Sequence, residues 1–432
     1  MKLAFIGVMS LRGWWSIVLV FILFGFPLLN AEQELKGKGP EVLLDSLIKA
    51  PECWSLTPEQ LETGFHERKD FRFVWLTKDR TRAKLSRYRF SNVQIQLSLF
   101  EKAIPIDEVT VDFENGKMSV VSFSLFSRGD SARISPEDFD ERFLLCGQKI
   151  GKLLEAKPQS RKADPKQGMP IAGFFWESKK GLALLTHNEG ARKGEETPAF
   201  LRLRLANPYG KGPLVQAMRN KRGGCAVKLS QLKGRVTRDQ DGNVFIPSLP
   251  MVDQGSKGYC VVASAQRVFE YYGVGIDMHQ IAEIAGSDPS KGTSSYQMAR
   301  ELDEIDYRFK TRLEVCAMMS TRKKLAKIKQ SSKGYRVGDD VELDDFAKDV
   351  KDSIDEGVPL LWALELGLFP ETPNLTPQTG GGHMRTIIGY NDAEQLVVFS
   401  DSWGAGHEFK TMSFEHAYKA TTGLFRLKPI VN

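Results

Sequence analysis

Residues 106–126 read IDEVTVDFENGKMSVVSFSLF, and no other stretch restricts the fold as much. Two runs of alternating apolar residues flank Asn115–Gly116. Both turn residues tolerate the positive φ that a two-residue hairpin demands, so the runs are expected to pair antiparallel. Further strands are expected at FRFVWL, at NVQIQLSLF with Val93, Ile95, Leu97 and Leu99 alternating, and at IAGFFWES, GLALLTH and AFLRLRL. The segment ISPEDFDERFLLCGQKIGKLLEA reads as a long amphipathic helix opened by Ser135–Pro136, with Cys146 on its apolar side. Shorter helices are expected at VLLDSLIKA and at LTPEQLETGF, the second starting at Thr57–Pro58. Residues 32–206 are therefore expected to form an α+β domain, an antiparallel sheet covered on one side by a helix.

A chain of 432 residues is too long for one ordinary core. The strand pattern stops at NPYGKGP and NKRGG, both turn-rich and basic, and resumes at NVFIPSLP. A linker is expected over residues 207–245, followed by a second domain over 246–432. That domain opens with the helix VVASAQRVFEYYG, with Val261, Ala265, Val268 and Tyr272 on one face and Gly273 at its end. Asp277 with Gln280, and Ser294 with Gln297, are capping-box helix starts. LDDFAKDVKDSIDEG is a further helix with Phe346, Val350 and Ile354 inward. Strands follow at VPLLWALEL, HMRTIIGY and LVVFSDSW, so helices are expected first and the sheet afterwards.

The charge balance, 60 basic against 54 acidic residues, is only mildly positive and points away from a nucleic-acid partner. Lys2 and Arg12 precede the apolar run GWWSIVLVFILFGFP, and LLNA and then EQE follow it. This pattern predicts a signal peptide ending at Ala31, or an uncleaved N-terminal anchor tethering the chain to a membrane. Either way the remainder is expected to be extracytoplasmic. Five cysteines, Cys53, Cys146, Cys225, Cys260 and Cys316, are too few for a disulfide scaffold, and their odd number leaves at least one thiol free.

Cys260 is the candidate for that free thiol. The loop QGSKG precedes it and a helix begins at or just after it. A helix N-terminus carries partial positive charge and unpaired N–H groups, which favour a thiolate. A nucleophilic thiol also needs a base and a group to orient that base. Among six histidines, His383 opens a strand directly after Gly380–Gly381–Gly382. If the chain reverses near Asp392, Asp401 returns roughly opposite His383 on the same face. A carboxylate there would fix the tautomer of the imidazole. His407 and His416 have no cysteine between them and do not suggest zinc, and GKGP and GARKGEE do not form a phosphate-binding loop.

These residues carry a resemblance. Gln254 six positions before Cys260 is similar to the oxyanion glutamine and nucleophile of papain-like cysteine peptidases. His383 with MRTIIGYN, and Asp401–Ser402–Trp403–Gly404, resemble that superfamily's histidine strand and Asn-Ser-Trp-Gly segment. The branch that processes bacteriocin leader peptides looks closest, with Val261 after the cysteine, aspartate as third member, Gly292–Thr293 and the segment EGVPLL. The resemblance spans residues 240–432. It implies a papain-like fold, a helix carrying Cys260 packed on an antiparallel sheet. It further implies Cys260 as nucleophile, His383 as base and then acid, and Asp401 as its orienting partner. Gln254 with the Cys260 amide would hold the oxyanion, and Trp403 would shield the histidine–aspartate contact. The sequence departs from the pattern in four ways. Aspartate stands where papain has asparagine, and the branch's aspartate–proline step is missing. Lys257–Gly258–Tyr259 has no cysteine where papain forms a structural disulfide. There is no transporter or ATP-binding segment, so an export role does not transfer.

The expected activity is peptide-bond hydrolysis through a thioester, with a peptide or protein substrate and no cofactor or metal. Two alternatives stand beside it. The same fold could perform amidase or transglutaminase-type acyl transfer, or serve as an inactive scaffold beside an N-terminal binding module.

Overall fold

The computed structural model describes residues 41–431 apart from 66–71, 87–95, 129–130, 132–133, 164–170, 189–197, 220–224, 226, 248, 255–257, 277, 285–298, 301, 304–305, 319–341, 376 and 378–379. The N-terminal apolar segment, Val93 and Ile95, Asp277, Gly292–Thr293 and the Ser294–Gln297 helix start lie outside the described residues. So do the middle residues of the QGSKG loop. Among the described residues no helix is long and apolar enough to cross a membrane.

Asn115 and Gly116 do turn the chain, at φ 53° and 71°, between Glu108–Glu114 and Lys117–Ser127. Around that hairpin an eight-stranded antiparallel sheet is ordered Arg72–Trp75, Arg82–Ser86, Glu108–Glu114, Lys117–Ser127, Phe200–Ala206, Leu182–Asn188, Ile171–Glu177 and Gln159–Arg161. The helix Pro136–Leu154 covers one face, burying Phe139, Cys146, Ile150 and Leu154 against the strands Leu182–Asn188 and Ile171–Glu177. Ser135 caps it by accepting the Asp138 amide at 3.0 Å. The helix Pro58–Phe65 has a reciprocal cap: the Gln60 amide donates to Thr57 Oγ1, and the Thr57 amide donates to Gln60 Oε1.

The expected helix at VLLDSLIKA is replaced by a short strand, Glu41–Leu43, and a single 3₁₀ turn, Asp45–Leu47. Val42 and Leu44 fit strand alternation as well as Leu44, Leu47 and Ile48 fit a helix, and all four are buried. An available strand edge decided the competition, because Glu41–Leu43 pairs parallel with Gln96–Leu99. Pro51 then stops any helix within two turns.

The second sheet is also eight-stranded and antiparallel. Its main path runs Thr237–Arg238, Asn243–Phe245, Gly382–Asn391, Leu360–Glu365, Thr421–Pro429 and Thr311–Met318. Leu396–Ser400 pairs with Gly382–Asn391 and in turn with Lys410–Ser413. The strict helices-then-sheet order does not hold, because Asn243–Phe245 and Thr311–Met318 enter the sheet ahead of the helix Leu343–Asp355. The stretch 207–245, expected as a linker, contains the helices Pro213–Arg219 and Leu229–Lys233 and two strands of this sheet.

The helix Cys260–Tyr271 lies on the second sheet, where Ser264 Oγ donates to the Met384 carbonyl at 3.1 Å. It is buried on every side, not on one face. Its polar residues Gln266, Arg267 and Glu270 meet protein instead of water, and Arg82 of the first sheet reaches Glu270 at 3.0 Å. A helix can be amphipathic and still fully buried when a second wall pairs its polar face.

Candidate active site

Cys260 is the first residue of its helix, so its side chain sits beside the unpaired N–H groups of the opening turn. Among the described residues no disulfide forms, and all five cysteines are buried. Burial pushes the thiols of Cys53, Cys146 and Cys225 up, Cys53 to about 12. Cys260 differs in its neighbour, because its thiol lies close enough to the imidazole of His383 to help raise the pKa of that ring.

His383 stands second in the strand Gly382–Asn391, opposite Leu364. Gly380 and Gly381 approach it at φ 148° and 112°, a region L side chains rarely adopt. A Cβ at either glycine would meet open space, so backbone conformation and not crowding requires them. Its Nε2 lies 2.7 Å from Asp401 Oδ1, which leaves Nδ1 for the thiol. The imidazole is stacked under Trp403, centroids 4.7 Å apart and planes 25° from parallel. Burial opposes a charge on His383, but the Asp401 carboxylate and Cys260 outweigh it and raise its pKa to about 9. Burial likewise works against ionised Asp401. His383, Arg385 and the Ser402 amide prevail and hold the carboxyl at about 2.

The register between the two strands differs from the simple reversal about Asp392. Asn391 pairs with Leu396, and a bulge between Ile387 and Gly389 brings Thr386 opposite Ser400. One step further along that register Arg385, not His383, faces Asp401. The offset is two residues, which preserves the face, so His383 and Arg385 both reach the same carboxylate. Arg385 Nε donates to Asp401 Oδ2 at 2.8 Å, and its Nη1 meets Glu371 at 2.5 Å. Lys410 closes this buried chain of charges on Glu371.

Gln254 joins the group through Ser402. The Ser402 hydroxyl donates to Gln254 Oε1 at 2.7 Å, and the Gln254 amide donates to the Ser402 carbonyl at 3.0 Å. Ser402 also donates its own amide to Asp401 Oδ1 at 2.8 Å. One residue thus ties the carboxylate to the glutamine, and the carbonyl end of the glutamine side chain faces Ser402. The loop after Ser400 is closed by Asp401 N donating to the His407 carbonyl and His407 N to the Gly404 carbonyl. Gly404 turns it at φ 86°.

Arg267, on the Cys260 helix, fastens these parts together. It donates to the carbonyls of Pro250 at 2.7 Å and Asp401 at 3.0 Å, and to Ser400 Oγ. Its complete burial lowers its pKa to about 10. Arg267, Arg385 and Ser402 were not singled out from sequence. Only Ser402, inside the DSWG segment, carried a signal that could have found it. His407 packs edge-on against Trp403, and His416 stacks on Phe369, so both have packing roles.

A groove of about 820 Å³ between the two sheets is lined by Arg82, Asp112, Phe113, Leu214, Met251 and Tyr271, among others. It borders the back of the Cys260 helix, and Cys260, His383 and Asp401 do not line it.

Residues 246–424 match the Peptidase_C39 like family. The match supports a papain-like peptidase superfamily for this half of the chain, in agreement with a Cys-bearing helix packed on an antiparallel sheet. Among solved structures, Xylellain, a cysteine protease from Xylella fastidiosa, aligns over 49% of this chain and 93% of its own at 13% identity, with a TM-score of 0.29. No curated protein matches the chain.

Proposed function

We propose that this chain is a cysteine peptidase that hydrolyses peptide bonds through Cys260, in a C-terminal half of papain-like type. One observation carries the reading: in a buried setting the Cys260 thiol neighbours the imidazole of His383, which Asp401 holds by a 2.7 Å hydrogen bond. A packing cysteine has no need of an imidazole, and an ordinary histidine–aspartate pair has no need of a thiol at a helix start.

In this reading the Cys260 thiolate attacks the substrate carbonyl carbon. The negative charge that develops on its oxygen is held by the Gln254 amide group and the Cys260 N–H. His383 passes the proton on Nδ1 to the departing amine, and the C–N bond breaks to leave a thioester on Cys260. His383 then takes a proton from water, water attacks the thioester, and the acid product leaves with the thiolate regenerated. Asp401 stays ionised throughout, fixing the ring and balancing the imidazolium. Trp403, stacked on the imidazole, keeps water from that contact. The apolar segment before Ala31 supports an extracytoplasmic site of action, secreted or tethered, on peptide or protein substrates.

Iodoacetamide labelling near neutral pH tests the nucleophile directly. Cys260 is expected to alkylate well ahead of Cys53, Cys146 and Cys316, and full-length protein to cleave fluorescein-labelled casein. Labelling of Cys260 no faster than of Cys316 would exclude an activated thiolate. Ammonia release or cross-linking in place of new amine termini would redirect the reading to acyl transfer on the same site.

A further inference from the structure

We infer that the N-terminal sheet is a working part of the active site, with Arg82 and Lys84 as positioning residues that hold the Gln254 segment from behind. The inference rests on the peptidase reading above. Residues Met251–Gln254 have no regular secondary structure, yet Met251, Val252 and Asp253 are buried. A strand or helix would fix such a segment through its own ladder. Here cationic side chains do so. Arg267 takes the Pro250 carbonyl, Arg82 Nη1 takes that of Met251 at 2.9 Å, and Lys84 Nζ takes that of Asp253 at 3.4 Å. Arg82 and Lys84 stand two apart on the strand Arg82–Ser86, so they project from one face and meet carbonyls two residues apart.

The strand reaches the site by two more routes. Arg82 pairs with Glu270 at 3.0 Å, on the helix that begins with Cys260, and with Asp112 at 2.5 Å on its own sheet. Lys84 pairs with Glu108 at 2.9 Å and approaches Asp253 at 3.8 Å. The turn before the strand also touches the DSWG loop, where the Lys78 amide donates to Glu408 at 2.7 Å. Arg82 and Lys84 are themselves buried. Buried ion pairs are a poor way to gain stability, since well-packed apolar residues of similar volume often serve as well or better. What these two provide that an apolar contact does not is a directed bond to a particular carbonyl on each side of Val252. With Ser402 gripping Gln254 from the front, its amide group is fixed from both directions.

The test compares two reactions of Cys260 that differ in one respect. Acylation by p-nitrophenyl acetate passes through an oxyanion, the thiolate displacing p-nitrophenolate and leaving a thioester. Alkylation by iodoacetamide displaces iodide and forms no oxyanion. In the full-length protein, Arg82→Met and Lys84→Met are expected to slow acylation by about 10-fold or more, as displacement of a catalytic group by a fraction of an ångström does. Alkylation of Cys260 should stay within about twofold of wild type, because thiolate activation by His383 is untouched. Lys84→Arg, which keeps a cationic donor, should restore the acylation rate. A merely structural role would lower both rates together or expose Cys53 and Cys146 to labelling, and an unchanged ratio of the two rates overturns the proposal. If Arg82→Met does not fold, the Lys84 pair decides by the same ratio. If wild-type acylation is no faster than that of Cys260→Ala, the peptidase reading itself falls and this inference falls with it.

Discussion

Both halves of the molecule pack a cysteine-bearing helix against an antiparallel sheet, and the two thiols end in opposite settings. Cys146 sits in the middle of Pro136–Leu154, wholly among apolar groups, and burial alone pushes its thiol up. Cys260 stands at the first position of Cys260–Tyr271, beside an imidazole that a carboxylate holds. Residue type is the same and both are buried, Cys146 completely and Cys260 to within 9%; position along the helix and one neighbour differ. Where the helix starts and what faces the thiol are the features that favour a thiolate, and only Cys260 has both.

The sharpest way to break the comparison is to exchange the roles. Cys260→Ala should remove casein cleavage altogether while leaving the thermal transition nearly in place, whereas Cys146→Ala should leave the turnover number alone. Residual turnover in purified Cys260→Ala would end the nucleophile assignment. Gln254→Ala comes next. Removing one oxyanion donor costs about 10²–10³ in kcat in comparable sites. KM should change little, and iodoacetamide should still find Cys260.

A smaller effect is expected at Asp401. With His383 raised to about 9, acylation of the wild type should hold through neutral pH and fall as the imidazolium deprotonates near pH 9. Asp401→Asn can still accept the His383 N–H but loses the charge, so the alkaline limb of kcat/KM should move to lower pH. At about pH 8 the rate should fall by roughly 10-fold, within the range general acid–base catalysis supplies. The substitution also turns a donor toward Arg385, leaving its Nε unpaired at a cost of about 1–3 kcal/mol. Stability follows the same pair. The His383 contribution is full below its unfolded pKa of about 6.5 and is lost as pH rises through about 9. That of Asp401 is present above about 3.8 and lost as pH falls through about 2. A melting temperature that is highest between about pH 4 and pH 6.5 in the wild type, and flatter in Asp401→Asn, is the expected signature.

How much of this was legible in sequence depended on whether the signal was local. The Asn115–Gly116 hairpin, the Ser135 cap and the helix start at Cys260 depend on neighbours a few residues away, and each formed as local chemistry dictates. The placement of His383 and Asp401 on one face could be read because a strand alternates with period two. The pairing itself could not, since the four-residue turn 392–395 shifts the register and the bulge at Ile387–Gly389 takes part of the shift back, by amounts that no residue there announces. Arg82, Arg267 and Arg385 were illegible for a different reason. A basic residue in a strand or helix is ordinarily solvated, and only a second packed wall turns it into a buried ligand of a distant carbonyl. The segment at VLLDSLIKA shows the limit from the other side. Its apolar spacing suits two structures, and the free edge of Gln96–Leu99 chose between them.

The least effect is expected from Cys146, and it tests the other arm of the comparison. Cys146 behaves as a small apolar side chain, so its thiol contributes packing and nothing to chemistry. Cys146→Ala deletes one buried sulfur among Phe139, Ile150 and Leu154 of the same helix, and it should cost about 1–2 kcal/mol of stability. Cys146→Ser, nearly equal in size, should cost more than alanine because it buries a hydroxyl among apolar groups. The order of the two denaturation midpoints therefore reports polarity separately from volume. The opposite order, serine above alanine, would mean that water reaches the Cys146 site, and burial would then no longer set its thiol apart from that of Cys260.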